Sequence, residues 1–249
     1  MLWGRNPSPC HGFSPIAMIW IGTSGFSYKE WRPAFYPADL SEKKFLPFYA
    51  SRLNSVEINS TFYRLPGAPL LRTWAKSTPA SFRFSLKAHQ NITHRKRLKL
   101  PNGVLKRFLA AATALGKRLG PLLFQLPPNF KRDDERLETF LSSLPRGMLS
   151  TLEFRHDSWF CHETYDTLRK HRSALCIHDA DDHTTPLELT APFTCVRLRR
   201  SSYNSRRRKE WQQRMRRWAA DGVDVYAYFK HEDSPDAPLI ARKFAEGLP

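Results

Sequence analysis

Short apolar runs alternate along this chain with longer stretches of helical periodicity. Runs at residues 19–22, 55–58, 82–86, 122–126, 152–154, 174–177, 194–198 and 223–229 read as strands. The run at 122–126 is nearly continuous in apolar residues, as a strand covered on both faces should be. Helical patterns fall between the runs, at 41–52, 69–76, 104–119, 133–144, 162–171, 205–220 and 237–247. Gly120 reads as the stop of the third helix, and two acids at 133–134 favour the start of the fourth. Trp211, Met215 and Trp218 recur at i, i+4, i+7 and predict a core-facing stripe. Only 179–191 lacks a helical pattern.

Eight strands alternating with helices in 249 residues match a single α/β domain, a (β/α)₈ barrel whose helix after strand six is irregular or missing. The competing doubly wound sheet would carry G-x-G-x-x-G after its first strand, and this chain has only Gly22 and Gly25 there. Residues 1–17 hold three prolines and no periodicity, so they are expected to be an extension without a catalytic role. The barrel domain is expected to run from 18 to 249.

Composition narrows the class. With 13% aromatic residues, the chain has the apolar mass that disordered chains lack. No apolar run approaches membrane-spanning length. None of the four cysteines forms a C-x-x-C pair, and Cys176 and Cys195 sit inside apolar runs; buried reduced thiols and a cytoplasmic setting are expected. The net charge of +17 is concentrated. Residues 83–107 carry +8 and residues 197–217 carry +9, and the remainder is neutral. This pattern predicts an anionic partner, either a phosphate-bearing small molecule or nucleic acid.

Several motifs occur in order along the chain. Gly22-Thr23-Ser24-Gly25-Phe26-Ser27-Tyr28 is followed by Trp31 and Phe35-Tyr36-Pro37. Next come Val56-Glu57-Ile58-Asn59, Thr61-Phe62-Tyr63, Phe84-Ser85-Leu86-Lys87-Ala88 and Thr93-His94. Leu123-Phe124-Gln125-Leu126-Pro127-Pro128, Glu153-Phe154-Arg155-His156 and Ser158-Trp159 complete the set. Together these blocks resemble the YecE-like family, domain of unknown function 72, over nearly the whole chain. The resemblance implies a TIM-like barrel and no particular activity. The chain departs from the family's pattern twice. Arg199-Arg200 stand where Arg-Leu-His-Gly is common, and Lys230-His231 follow Phe229 where many members carry Phe-Asn-Asn.

In such barrels the reactive groups lie at the C-terminal ends of the strands. That rule, with the motifs, nominates Glu57, Lys87, Glu153 and Arg155 as catalytic residues. Glu57 and Glu153 would do acid/base work of a hydrolase- or isomerase-like kind, and Lys87 and Arg155 would hold an anion or polarise a carbonyl. Tyr28, Asn59, Tyr63, His94, Gln125, Arg197, Arg199 and Lys230 are assigned to substrate binding. The cluster at 178–183 leaves room for a divalent metal on His178 and Asp179, although its spacing fits no zinc motif. Arg95, Lys96, Arg97 and Lys99 are expected to face Arg199, Arg200 and Arg206 as a positive rim around the mouth. In the rival reading the barrel is a scaffold for nucleic acid, with Tyr203, Trp211 and Trp218 stacking on bases between arginines.

Overall fold

A computed structural model describes residues 17–230 and 236–248. Eight parallel strands close into a barrel in chain order, with β1 hydrogen-bonded to β8. They are β1 Ile19–Ser24, β2 Ser55–Ile58, β3 Arg83–Lys87, β4 Leu119–Gln125, β5 Ser150–Glu153, β6 Ala174–Asp179, β7 Phe193–Leu198 and β8 Asp224–Phe229. The helices are α1 Phe45–Ala50, α2 Ala68–Lys76, α3 Gly103–Ala112, α4 Asp134–Ser142, α5 His162–Lys170, α6 Ser205–Ala220 and α7 Asp236–Ala245. The fold is therefore an α/β barrel of the TIM type. The expected extension lies outside the described residues except for Ala17. Met18 already joins the barrel, its carbonyl accepting from Val225 N at 2.9 Å.

No helix follows β6, as the missing periodicity implied. The connection folds back on the strand instead: Thr185 N donates to His178 O, and Ala180 N to His183 O. Thr190 Oγ1 accepts from Leu175 N and donates to Ser173 O, satisfying backbone groups at the start of β6. The third helix is a correction. It stops at Ala112, a 3₁₀ stretch covers Thr113–Arg118, and the chain reverses at Gly116, whose φ is +55°. Gly120 is not a helix stop but lies within β4, because an Ala- and Leu-rich composition does not register where the helix gives way to the turn.

Strand alternation sorts the interior into layers. At the N-terminal end, Trp20 stacks on Tyr226 at 4.4 Å beside Phe193 and Ala174. Above them the Tyr228 hydroxyl bonds both Ser55 Oγ (2.8 Å) and Ser85 Oγ (2.7 Å), next to Cys176, Cys195 and Leu123. The opposite strand faces pack on the helices. The stripe on α6 behaves as expected: Trp211, Met215 and Trp218 are all buried.

β1 and β2 approach closely at Gly22. A Cβ there would lie 1.9 Å from the Ser55 carbonyl oxygen, and the Tyr49 hydroxyl bridges the two strands through Thr23 N and Ser55 O. The obstacle is backbone, which cannot turn aside as a side chain could. Gly22→Ala is accordingly expected to destabilise the protein by about 3 kcal/mol, measurable as a lower urea midpoint. An unchanged midpoint would show that β2 yields easily.

Candidate functional site

The top layer of the barrel is charged. Glu57 ends β2, Glu153 ends β5 and Arg197 lies near the end of β7; all three side chains point inward and are buried, the two carboxylates at 0% exposure. Arg197 bridges them. Its Nε and Nη2 donate to Glu57 at 3.0 and 2.9 Å, and its Nη1 donates to Glu153 Oε2 at 2.6 Å. Strands two and five are not neighbours, so the two glutamates share a site through the arginine between them.

Further donors complete the layer. Arg199 Nη2 reaches Glu57 Oε1 at 2.9 Å and Ser24 Oγ at 2.6 Å, while the Ser24 hydroxyl donates to Glu57 at 2.7 Å. Gln125 Nε2 donates to Glu153 Oε1 at 2.8 Å, and Arg155 pairs with the same oxygen. Burial alone would raise both carboxylates. The guanidinium charges outweigh it: Arg197 and Arg199 hold Glu57 below its ordinary value, and Arg197 and Arg155 hold Glu153 well below it. Both glutamates are thus ionised at neutral pH, with every oxygen occupied by donors. That arrangement suits fixing the arginines in place better than exchanging protons with a substrate.

Lys87 is placed differently. It ends β3, lines the mouth and makes no ion pair among the described residues; its Nζ sits 4.2 Å from the centre of the Phe62 ring. Burial and then the charge of Arg197 lower it from its ordinary value to about 8. His94 packs edge-on against the same ring at 4.8 Å, and its Nδ1 bonds Thr93 Oγ1. Burial, followed by Lys87, lowers His94 too, so its imidazole is neutral at pH 7. His178 points into the layer with Nδ1 3.6 Å from Glu153 Oε1 and no hydrogen bond on that nitrogen; burial brings it down to about 4.

Above this layer opens a cavity of about 500 Å³ lined by Asn59, Tyr63, Lys87, Gln125, Arg155, His178, Arg197, Arg199 and Lys230, with Ala180, Asp181 and Asp182 on one side. A second space of about 620 Å³ adjoins it through Gln125, Arg155 and Asp182 and brings in His94 and His183. All but one of the residues nominated for catalysis or substrate binding therefore border these two connected spaces or lie beneath them. Tyr28 is the exception. Its hydroxyl donates to Ser24 O, and it lines a smaller recess of about 210 Å³ with Phe26 and Trp74.

Two expectations need correction. His178 and Asp179 are consecutive strand residues with side chains on opposite faces, so they cannot share one ion. Asp179 faces outward and is engaged there: Oδ1 accepts from Arg200 Nε at 2.6 Å, and Oδ2 from Trp211 Nε1 (2.9 Å) and the Tyr203 hydroxyl (3.0 Å). Among the described residues no cluster of three or more His, Cys, Asp or Glu side chains could hold a metal. The positive rim also takes another form. Arg199 turns inward to Glu57, Arg200 is tied to Asp179 and Asp181, and Arg206 pairs with Glu210 on the exposed side of α6. Lys230 lines the cavity as expected, while His231 lies outside the described residues.

Two contributors escaped the sequence reading. Ser24 figured only within the block at residues 22–28, although alternation from Trp20 places it inward. Phe62, inside Thr61-Phe62-Tyr63, carries both Lys87 and His94 on its ring.

A closed eight-stranded barrel with its charged layer at the C-terminal strand ends defines a TIM-barrel protein with a candidate ligand site at the mouth. Comparison with known proteins gives the family. The model of "Protein of unknown function DUF72" matches residues 20–249, and the chain belongs to that family. It is 25% identical to UPF0759 protein YunF of Bacillus subtilis, over 93% of this chain and 95% of that protein. It is 32% identical to UPF0759 protein YecE of Escherichia coli K12 over 57% of this chain, a match spanning half of that protein. A DUF72 family protein of Thermotoga maritima has a similar structure, with TM-score 0.75, 26% identity and coverage of 92% of this chain and 98% of that one. One from Enterococcus faecalis V583 superposes with TM-score 0.77 at 19% identity, covering 93% and 95% of the two chains, and shares the fold.

Proposed function

We propose that this protein is an enzyme that binds a small phosphate-bearing substrate at the barrel mouth. One observation carries the reading. In the inner layer four cations, Lys87, Arg155, Arg197 and Arg199, face only two carboxylates, Glu57 and Glu153; with Lys230 added and Asp181 and Asp182 on one side, the charged groups around the cavity still leave one net positive charge. Such an excess is costly in a low-dielectric site unless an anion completes it. The glutamates orient the arginines, the arginines and Lys230 hold the phosphate, and Asn59, Tyr63 and Gln125 offer neutral hydrogen bonds to the rest of the ligand. Lys87 and His94, each shifted toward neutrality, are the groups placed to move protons.

The nucleic-acid reading loses its stacking residues here, because Tyr203, Trp211 and Trp218 are buried and offer no face to a base. Thermal unfolding against a panel of anions tests the proposal. At about 100 times its dissociation constant, a phosphate monoester is expected to raise Tm by roughly 5–10 °C. A shift no greater than that of chloride at equal ionic strength would reject it.

A further inference from the structure

We propose that Lys87 is a nucleophilic amine and that the mouth takes a phosphate-bearing aldehyde or ketone, whose carbonyl carbon Lys87 attacks to form an imine. This rests on the reading of the mouth as a phosphate site and adds the second functional group of the substrate. The case starts from how the mouth cations are held. Arg155, Arg197 and Arg199 are each fixed to a carboxylate, whereas Lys87 makes no ion pair among the described residues. Its ammonium rests on the Phe62 ring instead, and its backbone is anchored at the end of β3, where the Lys87 carbonyl accepts from Thr61 Oγ1 at 2.6 Å. A lysine kept for charge alone would gain from a carboxylate partner. One held on an aromatic face, beside three arginines and opening into a cavity, is arranged to lose its proton.

The charged and titratable groups acting on it come from all sides: Glu57 from β2, Glu153 from β5, Arg197 and Arg199 from the end of β7, and His94 from the segment after β3. Burial and the two arginines outweigh the carboxylates, and Lys87 titrates near 8 in place of its ordinary value. Near neutral pH a far larger share of Lys87 than of an ordinary lysine is then free amine.

The chemistry balances without an oxidant or reductant. Lys87 reacts as its free amine, its proton having passed to solvent in the open mouth. The amine nitrogen then bonds to the carbonyl carbon as the C=O π pair moves to oxygen. A proton shifts from nitrogen to that oxygen, giving the carbinolamine. The hydroxyl takes up a proton from solvent and leaves as water, and the C=N bond forms. The net change converts an ammonium and a carbonyl into an iminium and one water. The iminium draws electrons from the neighbouring carbon, the activation that isomerisation or bond cleavage beside a carbonyl requires.

The test uses the full-length protein and two probes, pyridoxal 5′-phosphate and its phosphate-free counterpart pyridoxal. Each is added at limiting concentration, reduced with sodium borohydride and located by peptide mass spectrometry; binding before reduction is followed by equilibrium dialysis. Lys87 is expected to be modified about tenfold faster than any other lysine, with a pH midpoint near 8. The phosphorylated probe should be preferred, and inorganic phosphate should suppress the reaction. Modification of Lys87 by both probes alike, insensitive to phosphate, would support the amine and reject the phosphate reading. Phosphate-displaceable binding with Lys87 unmodified would overturn the imine and leave the phosphate reading standing. Neither binding nor modification would overturn both. The assay reads the wild-type chain, so no variant has to fold for it to be decisive.

Discussion

Replacing Arg197 by methionine is expected to destabilise the protein by about 3–5 kcal/mol at pH 7, the usual cost of stranding a buried charge. Here two buried carboxylates lose their shared partner, Glu57 keeping Arg199 and Glu153 keeping Arg155. Glu57 and Glu153 are fully buried, and among the described residues Arg197 is the one side chain that bonds to both. Methionine matches the length of the stem and keeps the packing, so the effect reads the charge. The pH dependence follows from the direction of the shifts. Both carboxylates are held below their ordinary values, so their contribution is complete above the unfolded value, about 4.3. It is lost as pH falls through their folded values. In the variant Glu57 keeps Arg199 and Glu153 keeps Arg155, but with fewer guanidinium charges opposing burial both groups move up from their wild-type values. The stability deficit should therefore be largest near neutrality and shrink toward pH 4, where these carboxylates take up protons. Urea unfolding of both proteins from pH 4 to 8 measures this. A deficit independent of pH would mean that lost packing, not lost charge, is responsible.

The second large effect is expected at Asp179. This buried carboxylate joins β6 to the segment after β7 and to α6, accepting from Arg200, Tyr203 and Trp211. Asp179→Ala leaves the Trp211 indole N–H and the Arg200 Nε without this acceptor and the Tyr203 phenol with only the backbone carbonyl of residue 179, at a cost of about 3 kcal/mol. Asp179→Asn keeps the size and an acceptor oxygen, and should cost less than half as much. Because the side chain lies outside the barrel, ligand binding at the mouth should survive in whatever fraction remains folded. Denaturation midpoints of the two variants check the order. Equal losses would show that the charge, and not the count of acceptors, is what the site requires.

The strands were legible because apolar runs of the right length recur at barrel spacing. Their ends were less so. Ser24, Lys87, His178 and Asp179 extend β1, β3 and β6 past the last apolar residue, where polar side chains break the apolar pattern without ending the strand. The glutamates stood out as carboxylates interrupting apolar runs. Their shared partner did not: Arg197 is 140 residues from Glu57 and 44 from Glu153, and only barrel closure brings β2, β5 and β7 around one guanidinium. The basic run at 197–217 was visible as charge, yet its members separate by strand and helix geometry. Arg197 and Arg199 enter the mouth, Arg200 serves Asp179, and Arg206 faces solvent beside Glu210. Counting charge along the chain cannot make that division, because it depends on which face each residue occupies.

That division also sets the most direct test of the central claim, that the uncompensated charge in the mouth binds phosphate. Isothermal titration calorimetry with inorganic phosphate would compare wild type, Arg199→Gln, and a triple variant with Gln at Arg206, Arg207 and Lys209 on the exposed side of α6. Loss of a charge-assisted hydrogen bond in the mouth should weaken binding by about 10–100-fold in Arg199→Gln. The triple variant should bind like wild type apart from a small change that salt removes. Unchanged affinity in Arg199→Gln together with loss in the triple variant would contradict the account and place anion binding on the helix surface.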